Sequence, residues 1–203
     1  MNTICRQLTN KLGLTLVSAV LPLLVLCPCT AQKPSADTSA PHEMLVTAQG
    51  FLAIDTPKGW VHSEGPGLAF FLPEGVSPQK ADVWIYISGA PVGPKEEDKD
   101  ANSYIQSDIA GFMQRFKKGV VRKEDDLLLP EMKQKVVVYT FQSGEANNAF
   151  EQVIYVSDVN RVLTFTLSAI NLEAFTKSTG IFHEFAKSYR GSIQMGSPED
   201  KPN

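Results

Sequence analysis

An α+β fold, with an antiparallel sheet flanked by two main helices, is predicted by three observations on the 203-residue chain. Seven segments are rich in β-branched or aromatic residues, two others carry an apolar stripe at helical spacing, and the last three strands are joined by turns too short for crossovers.

The strands are expected at Phe51 to Asp55, Leu68 to Leu72, Val83 to Ser88, Val120 to Leu129, Lys135 to Ser143, Ala149 to Val156 and Arg161 to Ala169. Gly144-Glu145-Ala146-Asn147-Asn148 and Ser157-Asp158-Val159-Asn160 are turn-rich, so the final three strands form an antiparallel meander. The first helix lies between the third and fourth strands. Its Ile105, Ile109, Phe112, Met113 and Phe116 recur at i, i+4, i+7, i+8 and i+11 and share one face. Asp100 or Asn102 can cap its start, Asp108 sits early in it, and Lys117 and Lys118 before Gly119 suit its negative end. The second helix follows Asn171, carries Phe175, Phe182, Phe185, Ala186 and Tyr189 on a stripe, and stops at Arg190-Gly191. Gly180 weakens it by about 1 kcal/mol relative to alanine, less than a buried aromatic stripe contributes.

Residues 1–31 read as a secretory signal. Arg6 and Lys11 supply the positive start, Leu12 to Leu26 is apolar apart from Gly, Thr, Ser and Pro, and Cys29-Thr30-Ala31 offers small residues for cleavage before Gln32. As a helix the apolar run would cover about 22 Å of a hydrocarbon core near 30 Å thick, and Pro22 interrupts it, which argues against a retained anchor. Cys27 closes the run as a lipid-bearing cysteine does in bacterial lipoproteins, but Leu26 is not the small residue that such a site needs before it. All three cysteines fall within the signal, so the mature chain is expected to have no disulfide. Removing Arg6 and Lys11 from 19 basic residues leaves 17 against 22 acidic ones, a net charge of −5 that excludes a general nucleic-acid binder. No Asn-x-Ser/Thr acceptor occurs, and a periplasmic or secreted protein of a bacterial envelope is expected. Residues 32–43 have the composition of a flexible linker and 196–203 that of a disordered tail, leaving 44–195 for a single domain.

The stretch from Gly50 to Trp60, with its Pro57-Lys58-Gly59-Trp60 turn, resembles the opening strand and Pro-x-Gly-Trp turn of the PsbP-like group, to which DcrB-type envelope proteins and the Mog-type Ran-binding factor are structurally similar. The strand from Val83 to Pro91, the helix from Asn102, the meander and the terminal helix match that layout across almost the whole mature chain. The resemblance implies a PsbP-like sandwich and a non-enzymatic binding or accessory role. The same turn also has a local account: Pro57 ends the strand, Gly59 permits the turn and Trp60 covers one end of the core.

The chemical inventory is thin. His42 falls in the linker, His183 lies on a helix between core-facing Phe182 and Phe185 and reads as a surface or boundary residue, and His62 lies in a turn region with Glu64 before Gly65-Pro66-Gly67. No Gly-x-Ser-x-Gly elbow marks a nucleophilic serine, and no catalytic residue is assigned. Asp98-Lys99-Asp100-Ala101-Asn102 begins like a calcium loop, but Ser103 replaces its glycine and Ile109 its bidentate glutamate, so a solvated loop and helix cap is expected. Zinc spacing is absent, and Phe70 stands where the third glycine of a dinucleotide fingerprint belongs; no metal or cofactor is expected. Trp84, Tyr86 and Tyr139 read as packing residues rather than a sugar platform.

The candidate binding surface is Lys117, Lys118, Arg122 and Lys123, four cations within seven residues of an acidic domain. A solvated helix end and the polar face of a strand account for the same charges, and Glu96-Glu97-Asp98 and Glu124-Asp125-Asp126 lie nearby with opposite sign. The expected function is that of an exported, non-enzymatic envelope module whose partner is a protein or a small anion, with peripheral membrane association open. A hydrolase with an unmarked site and an amino-terminally tethered structural protein are the alternatives.

Overall fold

The computed structural model describes residues 44–47, 50–65, 68–144 and 149–193. The expected signal (1–31), linker (32–43) and tail (196–203) lie outside the described residues, as do Pro66, Gly67 and the tip of the turn at 145–148.

Strands β1 (Met44–Thr47) and β2 (Gly50–Ala53) pair with each other. After the Pro57–Trp60 turn come β3 (Trp60–Gly65), β4 (Leu68–Pro73), a short 3₁₀ turn at Pro78–Lys80 and β5 (Val83–Pro91). Helix α1 (Ala101–Arg115) leads to β6 (Val120–Lys123), β7 (Leu127–Leu129), β8 (Gln134–Gln142), β9 (Phe150–Asp158) and β10 (Arg161–Ala169); helix α2 (Leu172–Lys187) and β11 (Ser192–Ile193) close the domain. The main antiparallel sheet runs β3-β4-β5-β10-β9-β8-β6, with β7 also paired to β8, and a small sheet runs β1-β2-β11. The predicted α+β class and the meander β8-β9-β10 are therefore present, in register from Val137↔Tyr155 through Tyr155↔Thr164.

Period-two alternation decides what each face of the sheet carries. On one face Val83, Ile85 and Ile87 of β5, Leu163, Phe165 and Leu167 of β10, Ile154 and Val156 of β9 and Val136 and Val138 of β8 form the main core with Phe182, Phe185, Ala186 and Tyr189. The small sheet and Trp60 join the same core, so the Pro57–Trp60 turn covers one end of it as its residue types imply. Trp60 N–H donates to the Pro57 carbonyl at 3.0 Å across Gly59, whose φ of 77° suits glycine. Each fully buried phenylalanine there contributes about 1.5–3 kcal/mol. The opposite face carries a smaller cluster of Ile105, Phe141, Val153, Tyr155 and Val162 beneath α1.

Several expected boundaries move. The single strand expected over Val120 to Leu129 is split into β6 and β7 at the charged Glu124-Asp125-Asp126, where Glu124 N–H still donates to the Val138 carbonyl of β8 at 2.9 Å and Lys123 Nζ lies 3.5 Å from Asp126. His62 belongs to strand β3 rather than a turn; that strand lies at the sheet edge and carries polar residues on its open side. Helix α1 ends at Arg115, so Phe116 is its cap, and Met113, expected on the buried stripe, is 41% exposed. Helix α2 ends at Lys187, two residues short of Tyr189, which is nevertheless fully buried. Both helices start on side-chain caps: Asp100 accepts from Ser103 N–H at 2.7 Å and Asn171 from Ala174 N–H at 2.8 Å. Among the described residues no helix is long and apolar enough to cross a membrane.

Candidate functional site

The face beneath α1 owes its shape to one strand. In β10 the residues turned toward α2 are Leu163, Phe165 and Leu167, while those turned the other way are Thr164, Thr166 and Ser168, all buried. Thr164 pairs with another short hydroxyl, Ser88, but Thr166 and Ser168 have longer neighbours. Tyr86 and Trp84 of β5 lie opposite Thr166 and Ser168 on one side, and Val153 and Glu151 of β9 lie opposite the same pair on the other. The step down from Tyr86, Trp84 and Glu151 to Thr166 and Ser168 makes a shallow trough.

Helix α1 crosses this trough without filling it. Ile105 is buried and Ile109 and Phe112 pack beside it, but Ser107, Gly111 and Arg115, spaced by four residues, form a neighbouring face with little apolar bulk. A side chain added at Gly111 would meet nothing within 4 Å. The result is an open groove of about 280 Å³ between helix and sheet. Tyr86, Phe112 and Phe141 give it aromatic walls, and Asp108, Arg115 and Glu151 bring charge.

Glu151 is largely buried, and burial raises its carboxyl above the ordinary range. Ser168 Oγ donates to it at 3.1 Å and Arg115 pulls it back, while Asp108 pushes it further up. The Tyr155 hydroxyl donates to Asp108, and burial with that bond raises the phenol far beyond its usual value. Tyr86 is pushed up to about 12 by burial and then by Glu151, so it remains a neutral phenol at physiological pH. Ser107 Oγ donates to Asp98 at 2.6 Å, fixing the loop before α1 to the helix.

The residues expected to bind lie elsewhere. Lys117 and Lys118 are exposed in the turn after α1, and Arg122 and Lys123 are exposed on the edge strand β6, where successive side chains point to opposite faces. Arg122 Nε donates to Glu124 at 2.8 Å and Lys123 pairs with Asp126, so the flanking acids offset two of the four charges. Arg115, one turn earlier on α1, is the cation that lines the groove. His62 is exposed and packs on Phe71 at 5.4 Å between centroids. His183, within α2, is half-buried against the sheet, 2.8 Å from Gln152, and burial holds its ring below the usual histidine value. Trp84 and Tyr139 are half-buried as packing residues are, but Tyr86 is a wall of the groove. Asp100 caps α1, and among the described residues no group of His, Cys, Asp and Glu could hold a metal ion.

A second depression, about 360 Å³, lies at the start of α2 beside Lys80, Asp82, Glu173 and Lys177. Its four charges, all on exposed side chains, balance, with Lys177 2.6 Å from Glu173.

With the geometry in place, the chain can be set beside known proteins. No family model matches it, and no curated protein does. Its fold is similar to that of a cyanobacterial PsbP. The solution structure of that protein, CyanoP from Synechocystis sp. PCC 6803, has a TM-score of 0.40 and 13% identity, covering 69% of this chain and 91% of its own. A crystal structure of PA94, a protein of unknown function from Pseudomonas aeruginosa, has a TM-score of 0.48 and 11% identity, covering 77% of this chain and 99% of its own. Both are likenesses of fold.

Proposed function

We propose that this chain is an exported, non-enzymatic binding protein of the bacterial envelope and that the groove beneath α1 receives a small polar ligand. The observation that carries this reading is the groove itself: an interior filled to native density would leave only outer surfaces for contact, whereas the space between α1 and the sheet is open, bounded by Tyr86, Phe112 and Phe141 and carrying Asp108, Arg115 and Glu151. Export rests on the residue pattern of 1–31. Binding rather than hydrolysis is supported by the groove's serines. Ser107 and Ser168 donate to the carboxylates Asp98 and Glu151, while His183 lies on the opposite face of the sheet.

The test is a thermal-shift screen of the chain from Gln32 onward against amines, carboxylates, sugars, nucleosides and lipids, run in parallel on Gly111→Trp, which places an indole in open space. A ligand present at a hundred times its Kd adds about 2.7 kcal/mol of stability, a shift of about 5–10 °C for a domain of this size. The expected result is a saturable shift that is lost in Gly111→Trp. Shifts of equal size in both proteins, or no shift with any class, would refute the groove as a ligand site.

A further inference from the structure

The charges and rings of the groove specify its ligand further. We propose that it takes a small organic cation, an amine or quaternary ammonium compound, with the ammonium group set against Asp108 and Glu151 and the organic part against Tyr86, Phe112 and Phe141. This rests on the reading of the groove as a binding site.

Two acidic side chains and one guanidinium line the groove, so with both acids ionised the lining is net negative. Tyr86 adds no charge, because its phenol stays protonated at physiological pH. Asp108 and Arg115 are seven residues apart on α1, about two helical turns or 10 Å, so a cation at Asp108 is not displaced by Arg115. Arg115 instead disfavours a second ammonium group at its own end, which selects monocations over polyamines. Aromatic rings attract a positive charge and give bulk to hydrocarbon, and three of them line this groove. At about 280 Å³ the groove is at the small end of ligand sites, too small for a peptide or lipid chain and sufficient for a compact amine.

Glu151 supports the assignment independently of the charge count. A carboxylate held largely out of water by β9, with Ser168 as a neutral donor, is costly to ionise. Arg115 offsets that cost only in part, since the carboxyl still stands above its ordinary value, and an ammonium group in the groove adds a second counter-charge.

The experiment is titration calorimetry at neutral pH on the chain from Gln32 onward, with choline and phenethylamine as probes and their neutral counterparts 3,3-dimethylbutan-1-ol and 2-phenylethanol as controls. Expected is saturable binding of at least one amine with its neutral counterpart at least about tenfold weaker, and a loss of about tenfold or more in each of Glu151→Gln and Asp108→Asn. Arg115→Met is expected to bind the amine as tightly as the parent or more so. Neutral counterparts that bind as well as the amines, a Glu151→Gln protein that binds unchanged, or no saturable heat from either amine up to about 10 mM would overturn the assignment. If a carboxylate or sugar gives a Gly111→Trp-sensitive shift and the amines do not bind, the ligand class is wrong while the groove remains a site. If nothing binds at all, both readings fall.

Discussion

Replacing Phe185 by alanine removes the ring that joins α2 to the sheet, and the cost follows from its surroundings. The side chain is 2% exposed and its ring meets Phe71 edge-on at 4.9 Å and Phe165 at 6.0 Å between centroids. Deleting a buried phenylalanine costs about 3–5 kcal/mol through lost transfer energy and the cavity left behind. Two edge contacts worth about 0.5–1.5 kcal/mol each beyond burial place this site at the upper end, about 4–5 kcal/mol. Phe185→Leu keeps most of the apolar volume and loses the edges, so about 1–2 kcal/mol is expected. Met113→Ala, on the exposed side of α1, should stay within about 0.5 kcal/mol. Urea unfolding followed by far-UV circular dichroism reads all three, and unchanged slopes show that the unfolded state is not the source. In melting temperature the alanine variant should fall by about 10–18 °C. A cost below about 2 kcal/mol for Phe185→Ala, or equal costs at Phe185 and Met113, would refute the view that α2 seals the core while α1 only roofs a groove.

Glu151→Gln should stabilise the free protein at neutral pH. Because burial raises the folded carboxyl above its unfolded value, folding favours the protonated form, so this group's contribution is most favourable below about pH 4.3 and declines as pH rises toward the folded value. Melting temperatures of the two proteins should therefore converge near pH 3 and separate above pH 5, with the variant higher; a variant that melts lower at pH 7 contradicts the sign. Gly144 and Gly59 separate backbone strain from crowding. Both have positive φ, 69° and 77°, but a Cβ at Gly144 would lie 2.1 Å from the Lys118 carbonyl oxygen, while at Gly59 it would meet nothing within 4 Å. Gly59→Ala should cost about 1–2 kcal/mol and Gly144→Ala at least about 1 kcal/mol more, as denaturant midpoints would show.

What was legible in the sequence and what was not follows from how far each property extends along the chain. The stripe of α2 and the alternation in β5 and β8 are local records of a one-sided core, while β9 and β10, covered on both faces, read as near-continuous apolar runs. Strand β3 escaped notice because it is an edge: apart from Trp60 it covers little core, so Val61 and His62 are exposed and the pattern reads as a turn. Strand β11 has two residues and exists only through its pairing with β2. The groove was hidden for a different reason. Its lining comes from β5, α1, β8 and β9, which lie far apart along the chain and meet only through the order of strands in the sheet. The cations at Lys117, Lys118, Arg122 and Lys123 drew attention because they cluster in sequence, while Asp108, Arg115 and Glu151 meet from two separate elements.

The end of the chain fastens its beginning. Ser192 and Ile193 pair with Leu52 and Phe51, Arg190 holds Asp55 with two hydrogen bonds of 2.5 and 3.2 Å, and the Ser188 hydroxyl accepts from Asp55 N–H. Asp158, at the turn between β9 and β10, accepts from both Tyr189 and Ser192. During synthesis, β2 waits for the residues around Arg190 to emerge before its second edge is covered. The Arg190–Asp55 contacts join residues 135 positions apart, so they tie the domain's fold to the closure of one of its largest loops.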